Sequence, residues 1–314
     1  MGHHGPILIC GPTASGKSAL AMDLAEKLGA EIVSVDSFCI YRGLDIGTSK
    51  PTQADRMRVP HHLIDCVGPL ESFSVVAYLA AAEKPLLALK KRHVPSIWVG
   101  GAGLYFRALR QGICNAPASD PEQLAELETW STQALVDELT RVDPTWCAHA
   151  DLQNRRRLIR ALAVYRQTGV PFSAWQKWDP ENQPPPLLPE EKLPAFYIDP
   201  PRELLAKKMT ARVEDMIQRG WIEEVRALMK LDGWLASQSA AALGYRVLAE
   251  HVQGKFDQEE AQARIVTQTR QFAKRQHTWF RAEKNLHRWP HGCWTQEQID
   301  QAAEWVIKTT VRAG

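Results

Sequence analysis

The chain has 314 residues, of which 45% are hydrophobic, so it can bury a large core, and its length suits one large domain plus a smaller one. No apolar run approaches the roughly 20 residues that a bilayer-spanning helix needs, and the N-terminus lacks a signal-peptide pattern, so we expect a cytoplasmic protein with no membrane partner. The net charge is only +2, and any nucleic-acid binding must therefore come from local basic patches. Six cysteines without a CxxC pair argue against a zinc finger or a secreted disulfide framework.

In chain order, short apolar runs alternate with stretches of helical periodicity. We predict strands over 7–10, 31–35, 96–99 and 195–199. We predict helices directly after the first strand and over 73–92, 121–142, 153–168, 202–230, 240–253 and 258–281. Pro85 should kink or split the helix over 73–92. Strands that alternate with helices imply a parallel sheet covered on both faces.

The alternation of strand-like and helix-like stretches stops near Cys114. Two helical stretches there lead into a proline-dense segment over 178–194, where regular structure is excluded. We therefore predict an α/β fold in which a core formed by residues 1–114 and 191–314 carries a mainly helical insertion over 115–190.

A phosphate-binding pattern follows the first strand. The stretch "GPTASGKS" fits G-x-x-x-x-G-K-[ST] at every fixed position and lies between a strand and a helix, the context that supports it. Backbone amides of Thr13 to Ser18 should point into the loop, Lys17 should reach terminal phosphate oxygens, and the Ser18 hydroxyl should ligate Mg²⁺. The predicted diphosphate-binding residues of this loop are Gly11, Pro12, Thr13, Ala14, Ser15, Gly16, Lys17 and Ser18.

A single acid stands where the phosphate should bind. The strand over 96–99 ends in "GGAG" without the magnesium-binding carboxylate that nucleotide hydrolases place there. Asp36 instead closes the strand after the phosphate-loop helix, and the carboxyl ends of parallel strands are where such sheets assemble their sites. From the residues alone, Asp36 is either a reactive group, a helix cap or an outer ligand of the metal.

Two predicted helices concentrate basic residues. In "TRQFAKRQHTWFR" a helix of 100° per residue places four of them on one stripe, with Ile265, Phe272 and Trp279 opposite. We call this set the cationic stripe: Arg270, Lys274, His277 and Arg281. In "NRRRLIRAL" Arg156 and Arg160 lie one turn apart. Such runs are commonly solvated faces, but few acids accompany these, which favours nucleic-acid phosphates as their partners.

Adjacent histidines at positions 61 and 62 could suggest a metal site. They point to different sides of most backbones, and no carboxylate or cysteine accompanies them at ligand spacing. We therefore predict a structural loop at this position.

Taken in order, the motifs resemble those of the tRNA dimethylallyltransferase family. They are "GPTASGKS", "VSVDS", "YRGLDIGTSKPT", "PHHLID", "VGGAGLY", "RLIRAL", "GYR" and "TRQFAKRQHTWFR", which together span nearly the whole chain. The resemblance implies a P-loop-kinase-like core that holds dimethylallyl diphosphate. It also implies a helical insertion that grips the anticodon stem-loop, and transfer of the prenyl group to the exocyclic amine of the adenosine 3′ of the anticodon.

The resemblance also assigns roles to residues. Asp36 corresponds to the general base, Lys17 and Ser18 to the groups that act on the diphosphate with Mg²⁺, and Arg212 to a further diphosphate contact. The residues implied to contact tRNA are Asp36, Ser37, Phe38, Cys39, Ala102, Arg156, Arg157, Leu158, Ile159, Arg160, Gly244, Tyr245, Arg246, Arg270, Lys274 and Arg281.

Departures from the family pattern leave alternatives open. Ala102 stands where the family usually has Thr, so a hydroxyl near the reacting groups is missing, and water or Ser37 would take its place. The phosphate loop alone would equally suit a small-molecule or nucleotide kinase, against which stand the basic helices and the position of Asp36. A nucleic-acid-binding protein without catalysis is a third reading, favoured only if Ala102 signals lost activity. We expect a monomer.

Overall fold

A computed structural model describes residues 5–176, 185–189 and 193–311. The chain divides into two compact units, one formed by residues up to Gln111 and from Leu187 onward, the other by Gly112–Pro186. The predicted boundaries, 114/115 and 190/191, differ from these by a few residues. Most of the proline-dense segment falls outside the described residues.

The larger unit is built on one six-stranded sheet. Its strands are β1 (Ile7–Cys10), β2 (Glu31–Val35), β3 (His61–His62), β4 (Ser96–Gly100), β5 (Ala195–Ile198) and β6 (His287–Trp289). The order is β3-β2-β4-β1-β5-β6, and every pairing is parallel. All carboxyl ends of the strands therefore meet at one edge, where β2, β4 and β1 lie side by side.

Helices cover both faces of this sheet. Alternate residues of β1 show the arrangement, since Ile7 and Ile9 pack into one buried cluster while Leu8 and Cys10 pack into the other. In the larger unit the helices are α1 (Lys17–Leu28), α2 (Gln53–Arg58), α3 (Val75–Lys91), α4 (Gly103–Gln111), α10 (Arg202–Gln218), α11 (Trp221–Leu228), α12 (Tyr245–Val252), α13 (Gln258–Ala282) and α14 (Gln296–Val311). The predicted parallel α/β architecture is confirmed.

The smaller unit is helical in the part that the structure describes. Its helices are α5 (Pro121–Thr129), α6 (Thr132–Val142), α7 (Pro144–Cys147), α8 (Arg155–Thr168) and α9 (Phe172–Trp175). They enclose a core of their own around Leu127, Leu139, Trp146 and Leu162. Within the described ranges, none of the helices of either unit is long and apolar enough to cross a membrane.

Several predicted elements differ from those observed. Pro85 does not split its helix, since α3 runs without a break from Val75 to Lys91. The helix predicted over 202–230 divides at Gly220, whose φ of 96° breaks the turn. The helix predicted over 121–142 divides at Trp130, and Ser131 caps a new helix by accepting a hydrogen bond from the amide of Ala134.

The remaining differences concern edges of the sheet and of helices. His61 and His62 form an edge strand rather than a loop, and His62 Nε2 lies 2.6 Å from a carboxylate oxygen of Glu31. The stretch over 240–253 begins as a 3₁₀ turn, Ser239–Ala241, and becomes α-helical only from Tyr245. The elements that were not predicted from the sequence include α2, α4, α7, α9, β6 and α14.

Candidate active site

The phosphate loop joins β1 to α1, as the pattern predicted. Gly16 has a φ of 88°, and a Cβ there would lie 2.6 Å from the carbonyl oxygen of Gly292, so this position requires glycine. The indole of Trp294 donates a hydrogen bond of 2.9 Å to the carbonyl of Gly16. The segment after β6 that contains Gly292 and Trp294 therefore packs against the phosphate loop. This contact was not predicted from the sequence.

Two of the six amides predicted to face a phosphate are engaged elsewhere. The amide of Thr13 donates to Oε1 of Gln276 at 2.8 Å, and the amide of Ser15 donates to the carbonyl of Pro12 at 3.2 Å. Hydrogen bonds within the described part of the chain leave four amides of the loop free for an anion: those of Ala14, Gly16, Lys17 and Ser18. The last two begin α1, so the helix dipole adds to their attraction for an anion.

Two cations face the loop. Lys17 is half-buried and its Nζ donates to the carbonyl of Pro12 at 3.2 Å. Burial and, next, the positive charge of Arg212 lower the pKa of Lys17 from 10.5 to about 8, against the opposing effect of Asp36. Burial also lowers the pKa of Arg212 on α10. Two cations held together in this way are stabilised by a ligand that carries several negative charges.

Asp36 uses one oxygen for structure. Its Oδ1 accepts hydrogen bonds from the amides of Phe38 at 2.8 Å and Cys39 at 3.2 Å. No hydrogen bond to Oδ2 is found within residues 5–176, 185–189 and 193–311. Asp36 therefore does not cap a helix, since the described residues between β2 and α2 include no helix; its Oδ1 instead closes a turn, and this bonding leaves Oδ2 open to the reactive role.

The phosphate loop, the two cations and Asp36 line one cavity of about 640 Å³ at the carboxyl edge of the sheet. Predicted site residues that line it are Thr13, Lys17, Ser18, Asp36, Ser37, Phe38, Cys39, Ala102 and Arg212. Ala102 is fixed there by a hydrogen bond of 3.3 Å from its amide to the carbonyl of Val35. A cavity of this size has room for both an allylic diphosphate and a base.

The cationic stripe on α13 keeps three of its four members. Arg270, Lys274 and Arg281 are exposed, and their side chains form no ion pair among the described residues. His277 leaves the stripe, because its Nε2 lies 3.0 Å from Oδ1 of Asp199. Phe272, predicted to pack away from the basic residues, is half-buried and lines the cavity.

Arg275 is a cavity-lining cation that the sequence reasoning missed. Its guanidinium lies 5.8 Å from the ring centroid of Phe272, and both side chains line the cavity. The signal for it was present, since it adjoins Lys274 in the same basic run, but an ideal helix places it off the stripe.

On α8 the predicted tRNA-contacting residues differ in exposure and in bonding. Arg156 and Arg157 are exposed, whereas Leu158 and Ile159 are buried in the core of the helical unit. Arg160 donates to Ser119 Oγ at 2.5 Å and to the carbonyl of Ala116 at 3.2 Å. Burial removes the side chains of Leu158 and Ile159 from the candidate tRNA surface, because their apolar atoms complete the helix packing.

The "GYR" motif separates in the same way. Arg246 is exposed, whereas Gly244 and Tyr245 are buried. The hydroxyl of Tyr245 donates to Oε1 of Glu224 at 2.6 Å, so its ring and hydroxyl are both engaged inside the protein. Of this motif, only Arg246 exposes its side chain to solvent.

The parallel sheet, the phosphate loop after β1 and the acid after β2 define an α/β protein with a P-loop-like fold. Residues 39–283 match the family model for IPP transferase, and residues 5–63 match the model for isopentenyl transferase. The chain belongs to the IPP transferase family, whose curated relatives carry the name tRNA dimethylallyltransferase. The resemblance read from the motifs is confirmed.

Relatives with this name align over most of the chain. The tRNA dimethylallyltransferase of Halorhodospira halophila is 43% identical over 285 residues, covering 88% of this chain and 90% of the relative. That of Geobacter metallireducens is 39% identical over 284 residues, covering 89% and 90%. The crystal structure of the tRNA isopentenylpyrophosphate transferase from Bacillus halodurans is 31% identical, with a TM-score of 0.72 and coverage of 98% of this chain and 97% of that chain.

Proposed function

We propose that this chain transfers a dimethylallyl group from dimethylallyl diphosphate to the exocyclic amine of the adenosine 3′ of the anticodon in tRNA, forming N6-isopentenyladenosine. The observation that carries the proposal is the joint placement of Lys17, Arg212 and Asp36 around one cavity of a chain in this family. Two cations suit the charge of a diphosphate. A carboxylate beside them can take the proton of the amine that attacks the allylic carbon.

The nucleophile, the exocyclic amine of adenine, needs a proton acceptor, and Asp36 can act as one. The amine of adenine is weak because its lone pair is delocalised into the ring, so its proton must leave as the new bond forms. A carbon–nitrogen bond forms to the allylic carbon, the carbon–oxygen bond to the diphosphate breaks, and the proton passes to Oδ2 of Asp36. Oδ1 meanwhile keeps the carboxylate oriented through the amides of Phe38 and Cys39.

The leaving group is stabilised by charge. The diphosphate departs with its charge neutralised by Lys17, Arg212 and the free amides at the start of α1. The pattern at Ser18 also implies Mg²⁺. The exposed Ser18 hydroxyl and the diphosphate oxygens are the hard donors that this ion takes, and the described residues hold no cluster of three acidic, histidine or cysteine side chains that would bind it without them. When bound there, Mg²⁺ would supply further charge neutralisation.

In each of the two units, exposed basic side chains are the proposed contacts for tRNA. They are Arg270, Lys274 and Arg281 on α13, Arg246 on α12 and, in the helical unit, Arg156 and Arg157. These side chains suit backbone phosphates, which fix orientation without reading sequence. The target adenosine must leave its stack to reach Asp36, at a cost that is lowest for an unpaired loop base.

The other readings have less support. The end of β4 at Gly100 carries no carboxylate that would suit a nucleotide kinase, and the family match favours prenyl transfer. Binding of tRNA without catalysis would follow only if Ala102 abolished activity. We further propose that the protein acts in the cytoplasm as a monomer.

The direct test is product analysis. The protein is incubated with dimethylallyl diphosphate, Mg²⁺ and unmodified tRNA, and the tRNA is then digested to nucleosides and analysed by mass spectrometry. The proposal predicts an adenosine heavier by one isopentenyl unit. A tRNA that binds but returns only unmodified adenosine supports the non-catalytic reading.

A further inference from the structure

Gln276 occupies an unusual position on α13. Lys274, two residues earlier, is exposed, yet Gln276 is only 7% exposed and lines the cavity. A long polar side chain is seldom buried unless its amide is fully bonded.

Both ends of the Gln276 amide are bonded, and the partners fix its orientation. Its Oε1 accepts a hydrogen bond of 2.8 Å from the amide of Thr13, and its Nε2 donates one of 2.9 Å to the carbonyl of Gly101. A backbone N–H only donates and a carbonyl only accepts, so the reversed amide would lose both bonds.

The two partners belong to different parts of the site. Thr13 lies in the phosphate loop after β1, and Gly101 lies just beyond β4, next to Ala102, on the part of the cavity wall that also includes Asp36. A Cβ at Gly101 would lie 2.3 Å from Nε2 of Gln276, so the glycine there is what lets the amide reach its carbonyl. One side chain therefore sets the spacing between the loop that holds the diphosphate and the segment beside the acceptor.

We propose that Gln276 is a positioning residue for prenyl transfer, which holds the phosphate loop in register with the end of β4. The proposal rests on the proposed function and adds a residue to its site. Through Thr13, Gln276 contacts the phosphate loop and not the reacting groups. It acts by fixing this loop, whose amides and Lys17 hold the diphosphate in the proposed function. Its position on α13 also ties that loop to the helix that carries Arg270 and Lys274.

Two substitutions separate positioning from simple stability. Gln276→Met keeps the length and volume of the side chain but removes both hydrogen bonds. Gln276→Glu keeps the acceptor for Thr13 and sets a carboxylate against the carbonyl of Gly101. Protonation of that carboxylate would restore the donor. The matched control is Gln268→Met, because Gln268 lies on the same helix, is exposed and does not line the cavity.

The first measurement is binding of inorganic pyrophosphate to each folded variant by calorimetry, with Mg²⁺ present. Two lost hydrogen bonds predict that Gln276→Met weakens pyrophosphate binding about 10-fold, while tRNA binding and the control variant stay at the wild-type level. The proposal would be overturned if Gln276→Met bound pyrophosphate with wild-type affinity and only its thermal unfolding temperature were lowered. Gln276 would then be a packing residue.

The second measurement is the single-turnover rate of prenyl transfer against pH. A misplaced loop predicts a loss of about 10²-fold for Gln276→Met at saturating substrates. The rate of Gln276→Glu relative to wild type should rise as pH falls and the carboxyl gains its proton, whereas the ratio for Gln276→Met should stay flat. Flat ratios for both variants contradict the proposal. If wild type makes no product, the proposed function fails, and the pyrophosphate measurement still decides the role of Gln276.

Discussion

The hydroxyl of Tyr245 donates a hydrogen bond of 2.6 Å to Oε1 of Glu224, inside the protein. Burial, and next the charge of Glu224, raises the pKa of Tyr245 well above its usual value, so the hydroxyl remains a donor at neutral pH. The Glu224 carboxylate also accepts from the amides of Asp45 and Ile46 at 2.8 and 2.7 Å. It thereby anchors the segment that leads into the cavity wall at 47–52.

A stability measurement tests this reading of Tyr245. Tyr245→Phe removes one buried hydrogen bond and leaves Glu224 with its backbone donors, so we expect a loss of about 1–2 kcal/mol in the free energy of unfolding by urea. The affinity for tRNA should not change, because the Tyr245 side chain is 0% exposed. A loss of tRNA affinity with unchanged stability would show that the ring contacts tRNA after all.

The exposed cations of α13 predict a salt dependence. Each contact between a cation and a phosphate releases counterions, so replacing Arg270, Lys274 or Arg281 by Gln should weaken tRNA binding and reduce the slope of log affinity against log salt by about 0.7–0.9 per contact. Arg264→Gln is the matched control on the same helix, since Arg264 pairs with Glu260 at 2.6 Å. If the slopes stay at the wild-type value in all three variants, these residues are an ordinary solvated surface and do not contact tRNA phosphates. Circular dichroism checks that the helix survives.

Lys17 predicts a pH dependence of diphosphate binding. With its pKa lowered to about 8, the amine is charged below that pH and neutral above it. Affinity for dimethylallyl diphosphate should therefore fall as pH rises through about 8, measured by calorimetry. Stability follows the opposite sign, because the unfolded chain keeps this proton up to about 10.5, so the contribution of Lys17 to stability rises between those two pH values. Lys17→Arg should flatten the binding profile, and a step that persists in that variant would assign the titration to another group.

The two oxygens of Asp36 make Asp36→Asn an informative substitution. The amide keeps an oxygen for the amides of Phe38 and Cys39 but cannot take a proton, so the single-turnover rate at saturating tRNA and Mg²⁺ should fall by about 10²–10⁴-fold. Dissociation constants should change little. A raised KM for tRNA with kcat intact would mean that Asp36 only positions the substrate. Partial rescue by added Mg²⁺ would instead indicate a metal ligand.

The phosphate loop could be predicted from sequence because its chemistry is local. Gly16, Lys17 and Ser18 are consecutive, and the strand before them and the helix after them are readable from apolar spacing. The buried polar links could not be predicted in the same way. Gln276 contacts Thr13 across 263 positions of sequence, and Glu224 contacts Ile46 across 178. Periodicity describes which face of a helix is apolar, but not which polar residue on it finds a distant partner.

The same reasoning explains why several side chains on α8 and α13 have surroundings other than those predicted. Leu158 and Ile159 entered the predicted tRNA surface because they lie between arginines in a motif, although their apolar side chains belong to the core. Phe272 was assigned to the packed face by angle alone, yet it faces a cavity that other elements form. His277 was placed on the cationic stripe because its partner Asp199 is distant in sequence, with the helices α10, α11 and α12 between them.

The most direct test of prenyl transfer is the release of diphosphate, measured with and without tRNA. In the presence of dimethylallyl diphosphate and Mg²⁺, the account predicts release only when tRNA is added, with one diphosphate for each adenosine modified, and slow or no hydrolysis of ATP. Robust ATP turnover without tRNA, or diphosphate release that ignores tRNA, would contradict it.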